Sequence, residues 1–455
     1  MVYQTINPSN EQTIEIFLEH TDKQLEESIA QAQSTYQLDW SRRTLGERSR
    51  VLKNCASILR SGRADFAGLL TLEMGKLLRE ARDEVDLSAD IFDYFADHGE
   101  KFLAPKHLEV EEGETVVESA PLGVIFCVEP WNFPYYHLAR IAGPNLMVGN
   151  TLIVKHAPNV PQSALAFEKL FLDAGAPVGT YTNVFLSNEQ AAVTIADSRI
   201  KGVALTGGER AATAVAAQAG KALKKSTMEL AGNDAFIVLD DADMDTAIKW
   251  AVWGKTNNAG QCWVTAKRFI LDEKVADVFI SRFSKELAKL TPGDPRDDWT
   301  TLAPLYSQSA LELVERQIMA AVDAGAKLLM GGRRMQCSGY FLQPTILTNI
   351  APNNPVYHEE LCAPIALIFR VKNEDEAIKL ANDSPHGLSA TVITRDVERG
   401  KRIACRIEAG MIFVNRTTWT APNFPSGGVK NSGFGRELSE LGIGEFVNKK
   451  LIRAV

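Results

Sequence analysis

Several short segments of this chain set a reactive or polar side chain beside residues that shape the backbone. In EPWNFPYYHLAR, residues 129–140, Pro130 and Pro134 bracket Trp131, Asn132 and Phe133 directly after an apolar run. Proline fixes φ, so an asparagine held between two of them is a rigid amide donor of the kind that stabilises a developing oxyanion. The same spacing also describes a plain turn around a buried tryptophan. In MELAGND, 228–234, Glu229 stands between the basic pair Lys224-Lys225 and an apolar run. Partial burial would raise its pKa and make it a general base; at an exposed strand edge it would be a surface charge. NNAGQCWVTAKR, 257–268, joins a helix to a strand and carries Cys262, either a nucleophile or a small core residue.

Three further segments offer weaker chemistry. LTGGER, 205–210, runs from a strand through Gly207 and Gly208 into a helix, where free backbone N–H groups can hold a phosphate. Gly-Gly also makes an ordinary turn, and no G-x-G-x-x-G occurs in the chain. HEELCAPI, 358–365, places two acids before an apolar run and reads alone as a solvated acidic turn. SGGVKNSGFGRE, 426–437, is a glycine-rich loop with Lys430 and Arg436, or simply a long flexible turn.

Alternating strands and helices must position these segments. The first hundred residues read as helical, from a helix opening at Asp22 through long charged-and-apolar stretches between Leu45 and about Leu103. Residues 107–123 read as a β-hairpin turning at Glu112-Gly113, polar enough to be an exposed arm. From Gly123 to about Asp241, apolar runs at 124–128, 151–155, 182–186, 202–206 and 235–239 alternate with helices at 137–148, 160–174, 188–196 and 209–222. That alternation predicts βαβ units and a doubly wound parallel sheet. A second α/β block follows to Asn415. It has a helix from about Met244 carrying Ala251, Gly254 and Asn258, and a strand at 264–271. Its helix 308–324 places Leu311, Val314, Ile318 and Val322 on one face. The terminal FVNKKLIRAV reads as an edge strand that pairs elsewhere.

The bulk numbers exclude other classes. The 455 residues are 45% hydrophobic and 23% charged, with net charge −8, as in a soluble protein of two to four domains. No basic stripe points to nucleic acid. No apolar run nears a membrane span, and the N-terminus lacks signal-peptide character, so the expected location is cytoplasmic. Six scattered cysteines and seven histidines show neither C-x-x-C nor zinc spacing, so no metal is expected.

Taken in order, PWNFP, IVKHA, LTGG, MELAG, NNAGQC with Arg268 six residues on, HEEL, GLSA and GGVKNSGFGRE resemble the aldehyde dehydrogenase superfamily from about residue 6 to residue 447. Within it, KHAPN (155–159) and Arg140 are most like bacterial succinate-semialdehyde dehydrogenases. The resemblance implies an α/β fold of two doubly wound domains and a small β oligomerisation arm. The NAD(P)-binding domain would take 1–106 and 122–231, the catalytic domain 232–437, and the arm 107–121 with 438–455. It implies a homodimer or homotetramer, an aldehyde substrate, and NAD or NADP as cofactor. Lys155 matches the adenine-ribose contact, Gly207 and Gly208 the turn at the pyrophosphate, and Glu360 the carboxylate on the nicotinamide ribose. Val128, Pro130, Trp131 and Leu230 fall along the same cofactor cleft, and Arg140 is assigned to a carboxylated substrate. The implied mechanism is cysteine attack on the aldehyde, an oxyanion held by Asn132, hydride loss to give a thioester, and hydrolysis by water that Glu229 activates.

The chain departs from this pattern at its centre. The family's nucleophilic cysteine lies three residues after the Gly of the G-Q pair, which here is Trp263; Cys262 falls one residue early. Arg268 keeps its spacing, so no insertion or deletion compensates. The NAD-selecting Glu is Pro158, and further changes fall at Gly208, Ala212, Ala231, Cys362-Ala363, Ser426 and Ala421-Pro422-Asn423. Two expectations follow: a dehydrogenase using Cys262 in a shifted register, or a family member with impaired or absent dehydrogenase activity that keeps fold and nucleotide binding. A third, a scaffold with no cofactor role, is opposed by Lys155, Glu229 and Glu360.

Overall fold

Continuous apolar runs become the buried strands of two sheets in the computed structural model, which describes residues 2–455. The six-stranded sheet runs in the order Gly433–Phe434, Lys225–Leu230, Ile200–Gly207, Val124–Val128, Thr151–Lys155, Tyr181–Asn183. All neighbours are parallel except the first pair, where Gly433 lies antiparallel to Glu229. The seven-stranded sheet has the order Lys327–Met330, Thr345–Thr348, Ile365–Val371, Arg268–Asp272, Ala235–Val238, Ser389–Ile393, Met411–Val414. It is parallel but for its first, antiparallel strand. Val124–Val128 and Ala235–Val238 are apolar throughout because helices cover both faces.

The helices explain themselves locally. Thr21, Thr44 and Ser187 each close a capping box with Gln24, Glu47 and Gln190. The 26-residue helix Leu78–Leu103 buries Val85, Phe92 and Phe95 on one face, packed against the helices Leu45–Ser61 and Pro134–Val148. Helix Pro134–Val148 is buried on every side, starts with Pro134 in its first turn, and ends at the left-handed Gly149 (φ 108°). No helix among the described residues is long and apolar enough to cross a membrane.

The third sheet is the expected arm hairpin completed by the C-terminus. Lys106–His107 pairs with Glu114–Pro121, and Val447–Ala454 pairs antiparallel along the other edge.

Some expectations need correction. The N-terminal region is not all helical: Tyr3–Asn7 and Gln12–Phe17 form an antiparallel hairpin, mostly exposed on its second strand. The run 235–239 belongs to the second sheet rather than the first, because strand periodicity reports burial and not the partner strand. Val322 is exposed, and Ala321 takes its place on the buried face of Gln308–Asp323. Asn258 lies beyond helix Met244–Thr256, in a tight turn.

Candidate active site

Val128, Lys155, Gly207 and Leu230 are each the last residue of a strand in the six-stranded sheet. Val128 pairs with Lys155 and Gly207 with Leu230. Ligands of open α/β sheets bind in the crevice beyond such carboxyl ends. Gly208 is the N-cap of helix Glu209–Lys221 and offers no side-chain cap. A Cβ there would meet nothing within 4 Å, so the first N–H groups of the helix can receive an anion. Lys155 is nearly buried, and burial lowers its pKa to about 8. Pro158 is fixed by a bond from Gln4 N to its carbonyl, 2.9 Å. Glu360 stands in the loop before Ile365–Val371, 3.2 Å from the buried Lys267 Nζ. That same ammonium donates to the Cys262 carbonyl at 2.8 Å and to the Trp263 carbonyl. One lysine therefore ties the Glu360 carboxylate to the segment that carries Cys262 and Trp263. Trp131 is half-buried and stacks on Tyr306, ring centroids 3.6 Å apart, and Pro130 is buried beside it.

Asn132, Arg140, Glu229, Cys262 and Trp263 all line one cavity of about 750 Å³. The loop that carries Asn132 is clamped from helix Leu78–Leu103. Glu84 accepts from Tyr135 N and Tyr136 N, at 2.9 and 3.1 Å, and so caps the next helix; it also pairs with the buried Lys76. Asn132 Nδ2 donates to the Gln261 carbonyl at 3.1 Å. Its Oδ1 accepts from His137 Nε2 at 3.1 Å, which requires the Nε2–H tautomer. Burial, reinforced by Arg140, holds the His137 pKa well below the usual range, so the ring is neutral. The amide is thus aimed at the backbone just before Cys262.

The turn before Cys262 is unusual. Asn258, Ala259 and Gly260 are successively left-handed, with φ of 52°, 54° and 75°. Asn258 Nδ2 bonds the Asn132 carbonyl at 2.9 Å, and Glu80 accepts from Asn258 N at 3.3 Å. Cys262 follows, its thiol pushed above the ordinary range by burial, which Lys267 partly offsets. The Trp263 ring lies 5.4 Å from the His137 ring, centroid to centroid. Cysteine and indole thus share the cavity wall, and Cys262 is its one thiol.

Glu229 Oε1 lies 2.6 Å from Arg140 Nη1, and Ser426 Oγ donates to Glu229 Oε2 at 3.1 Å. Arg140 Nε lies 2.5 Å from Glu437 Oε2. The guanidinium is buried and both carboxylates occupy it. Sequence reasoning missed Glu437, Glu129, Lys267 and His137. Glu437 closes the glycine-rich motif already singled out, so its signal was an acid ending a motif whose glycines drew the attention.

A parallel sheet with an anion-ready helix at its strand ends lies beside a cavity that holds a buried carboxylate, an amide and a thiol, the layout of an α/β enzyme that takes a phosphate-bearing ligand. A family model described as "Aldehyde dehydrogenase family" matches residues 1–452, and the chain belongs to this family. It is 45% identical to a succinate-semialdehyde dehydrogenase [NADP(+)] of Deinococcus radiodurans, over 99% of this chain and 94% of that protein. It is 39% identical to the succinate semialdehyde dehydrogenase [NAD(P)+] Sad of Escherichia coli, over 98% and 96%. It superposes on the crystal structure of succinic semialdehyde dehydrogenase from Streptococcus pyogenes in complex with NADP+ with a TM-score of 0.97, at 44% identity and 99% coverage of both chains.

Proposed function

We propose that this protein oxidises succinate semialdehyde to succinate with NADP, using Cys262 as its nucleophile. The observation that carries the reading is that Asn132, Glu229 and Cys262 share one cavity wall. The aldehyde is supported by the relatives' own substrate, and NADP by theirs and by Pro158 where NAD enzymes carry an acid. The cofactor, when bound, accepts hydride. Gly208 and its helix would hold the pyrophosphate, Lys155 the adenine ribose with its phosphate, and Glu360 the second ribose. In the chain's part of the reaction, the Cys262 thiolate adds to the carbonyl carbon, and Asn132 Nδ2 donates to the resulting oxyanion. Loss of hydride leaves a thioester. Glu229 takes a proton from water, the hydroxide oxygen adds to the thioester carbon, and the thiolate departs as the acid forms. Arg140 holds Glu229 in place; a substrate carboxylate reaching it would compete with Glu229 and Glu437.

A second reading, impaired turnover, is favoured by a specific observation: Trp263 fills the family's nucleophile position and Cys262 is held protonated by burial. A one-residue offset of this kind costs about 10²-fold where it misplaces the reacting atom by ~1 Å. The test follows reduced nicotinamide with succinate semialdehyde, using NADP and NAD separately. On the first reading the wild type turns over and Cys262→Ala abolishes turnover. A Cys262→Ala variant as active as wild type would refute it. An inert wild type with an active Trp263→Cys selects the second.

A further inference from the structure

Arg140 is surrounded by more carboxylates than it can neutralise. Glu229 and Glu437 touch its guanidinium. Glu129, next after strand Val124–Val128, is 2% exposed, and neither of its oxygens makes a well-aligned hydrogen bond. The groups facing it come from every neighbouring element. Cys127 comes from its own strand, Tyr181 from the strand Tyr181–Asn183, Thr206 from Ile200–Gly207, Glu229 from Lys225–Leu230, Arg140 from helix Pro134–Val148, and Glu437 from the C-terminal segment. The neutral His156 ring meets only its backbone carbonyl, at 3.3 Å. Arg140 is the one cation in this set, so three ionised carboxylates would leave two uncompensated buried charges.

We propose that Glu129 is a positioning residue that remains a neutral carboxylic acid at neutral pH, leaving the charge of Arg140 to Glu229 and Glu437. Burial, and then Glu437, push its pKa well above the ordinary carboxylate range. The consequence rests on the reading of Glu229 as base: with Glu129 neutral, Arg140 is left to hold the Glu229 carboxylate where it can meet the water. An ionised Glu129 would draw on the same guanidinium and loosen that pair.

The test is infrared spectroscopy of the full chain without substrate, reading the C=O stretch of protonated carboxyls during a pH titration. Burial pushes Glu80, Asp234 and Glu437 to about 7, so those three are mostly ionised by about pH 8.5. A protonated band surviving there in wild type and diminished in Glu129→Gln supports the proposal. A wild type with no such band, or a Glu129→Gln protein whose band is undiminished, overturns it. Melting curves provide a second readout. A folded-state pKa above the unfolded value makes stability fall as pH rises through the interval between them. The isosteric, permanently neutral Glu129→Gln protein should therefore gain in Tm over wild type progressively from about pH 5 upward. A pH-independent Tm difference overturns the proposal. Neither readout needs turnover, so both stand or fall separately from the assignment of Cys262.

Discussion

Cys262 and Arg140 hold most of the consequence at the scale of single residues. Burial keeps the Cys262 thiol protonated beyond the ordinary range, and the thiolate is the reactive form. Alkylation of Cys262, read by peptide mass spectrometry, should therefore be slow at neutral pH and reach half its maximal rate at a higher pH than a free thiol does. Labelling as fast at neutral pH as that of the exposed Cys405 would contradict this. Arg140 is the sole guanidinium between Glu229 and Glu437. Arg140→Met removes one partner of a buried ion cluster and should lower stability by about 3–5 kcal/mol, measurable as a shift of the urea midpoint. A shift below ~1 kcal/mol would mean that the carboxylates find water or protons instead. Asn132, Glu229, Cys262, Lys155 and Glu360 could each be named from motifs. The ion cluster could not, because Arg140 and Glu437 lie almost 300 positions apart and meet only across the packed sheet.

Among the elements, the left-handed turn 258–260 decides where Cys262 points. Gly260 has φ 75°, and a Cβ on it would stand 2.3 Å from the Ala363 carbonyl oxygen. Backbone offers no flexible tip to yield, so Gly260→Ala must move the turn. We expect a loss of about 1–3 kcal/mol in stability, with Asn132 losing its register on the Gln261 carbonyl. A Gly260→Ala protein with wild-type denaturation and an unshifted Cys262 labelling rate would show that the turn is slack. The strands Val124–Val128 and Thr151–Lys155 and the helix Asn188–Ala196 stand where their apolar runs and caps placed them. The hairpin Tyr3–Phe17 was not legible, because its second strand is exposed and shows no buried face to read.

For the whole molecule, the three-stranded arm matters most. Its C-terminal strand Val447–Ala454 exposes Leu451 and Ile452 at 61% and 44%. Apolar side chains on an outer strand are characteristic of surfaces that meet another copy. We propose a homodimer or homotetramer assembled through this arm. Leu451→Asp with Ile452→Asp should give monomers in light scattering with unchanged circular dichroism; an unchanged assembly would place the interface elsewhere.

Periodicity, caps and motif order in the sequence alone determined the α/β class, most strand positions, the glycine turn at the helix start and the displaced cysteine. These are local properties, set by the burial of neighbouring residues and by the backbone preferences of proline, glycine and capping side chains. The tertiary structure decided that Lys267 links Glu360 to the carbonyls of Cys262 and Trp263, and that Arg140 is spent on Glu229 and Glu437. Those facts depend on distances between residues far apart in the chain, and on burial that makes each unpaired charge costly enough to fix its partner.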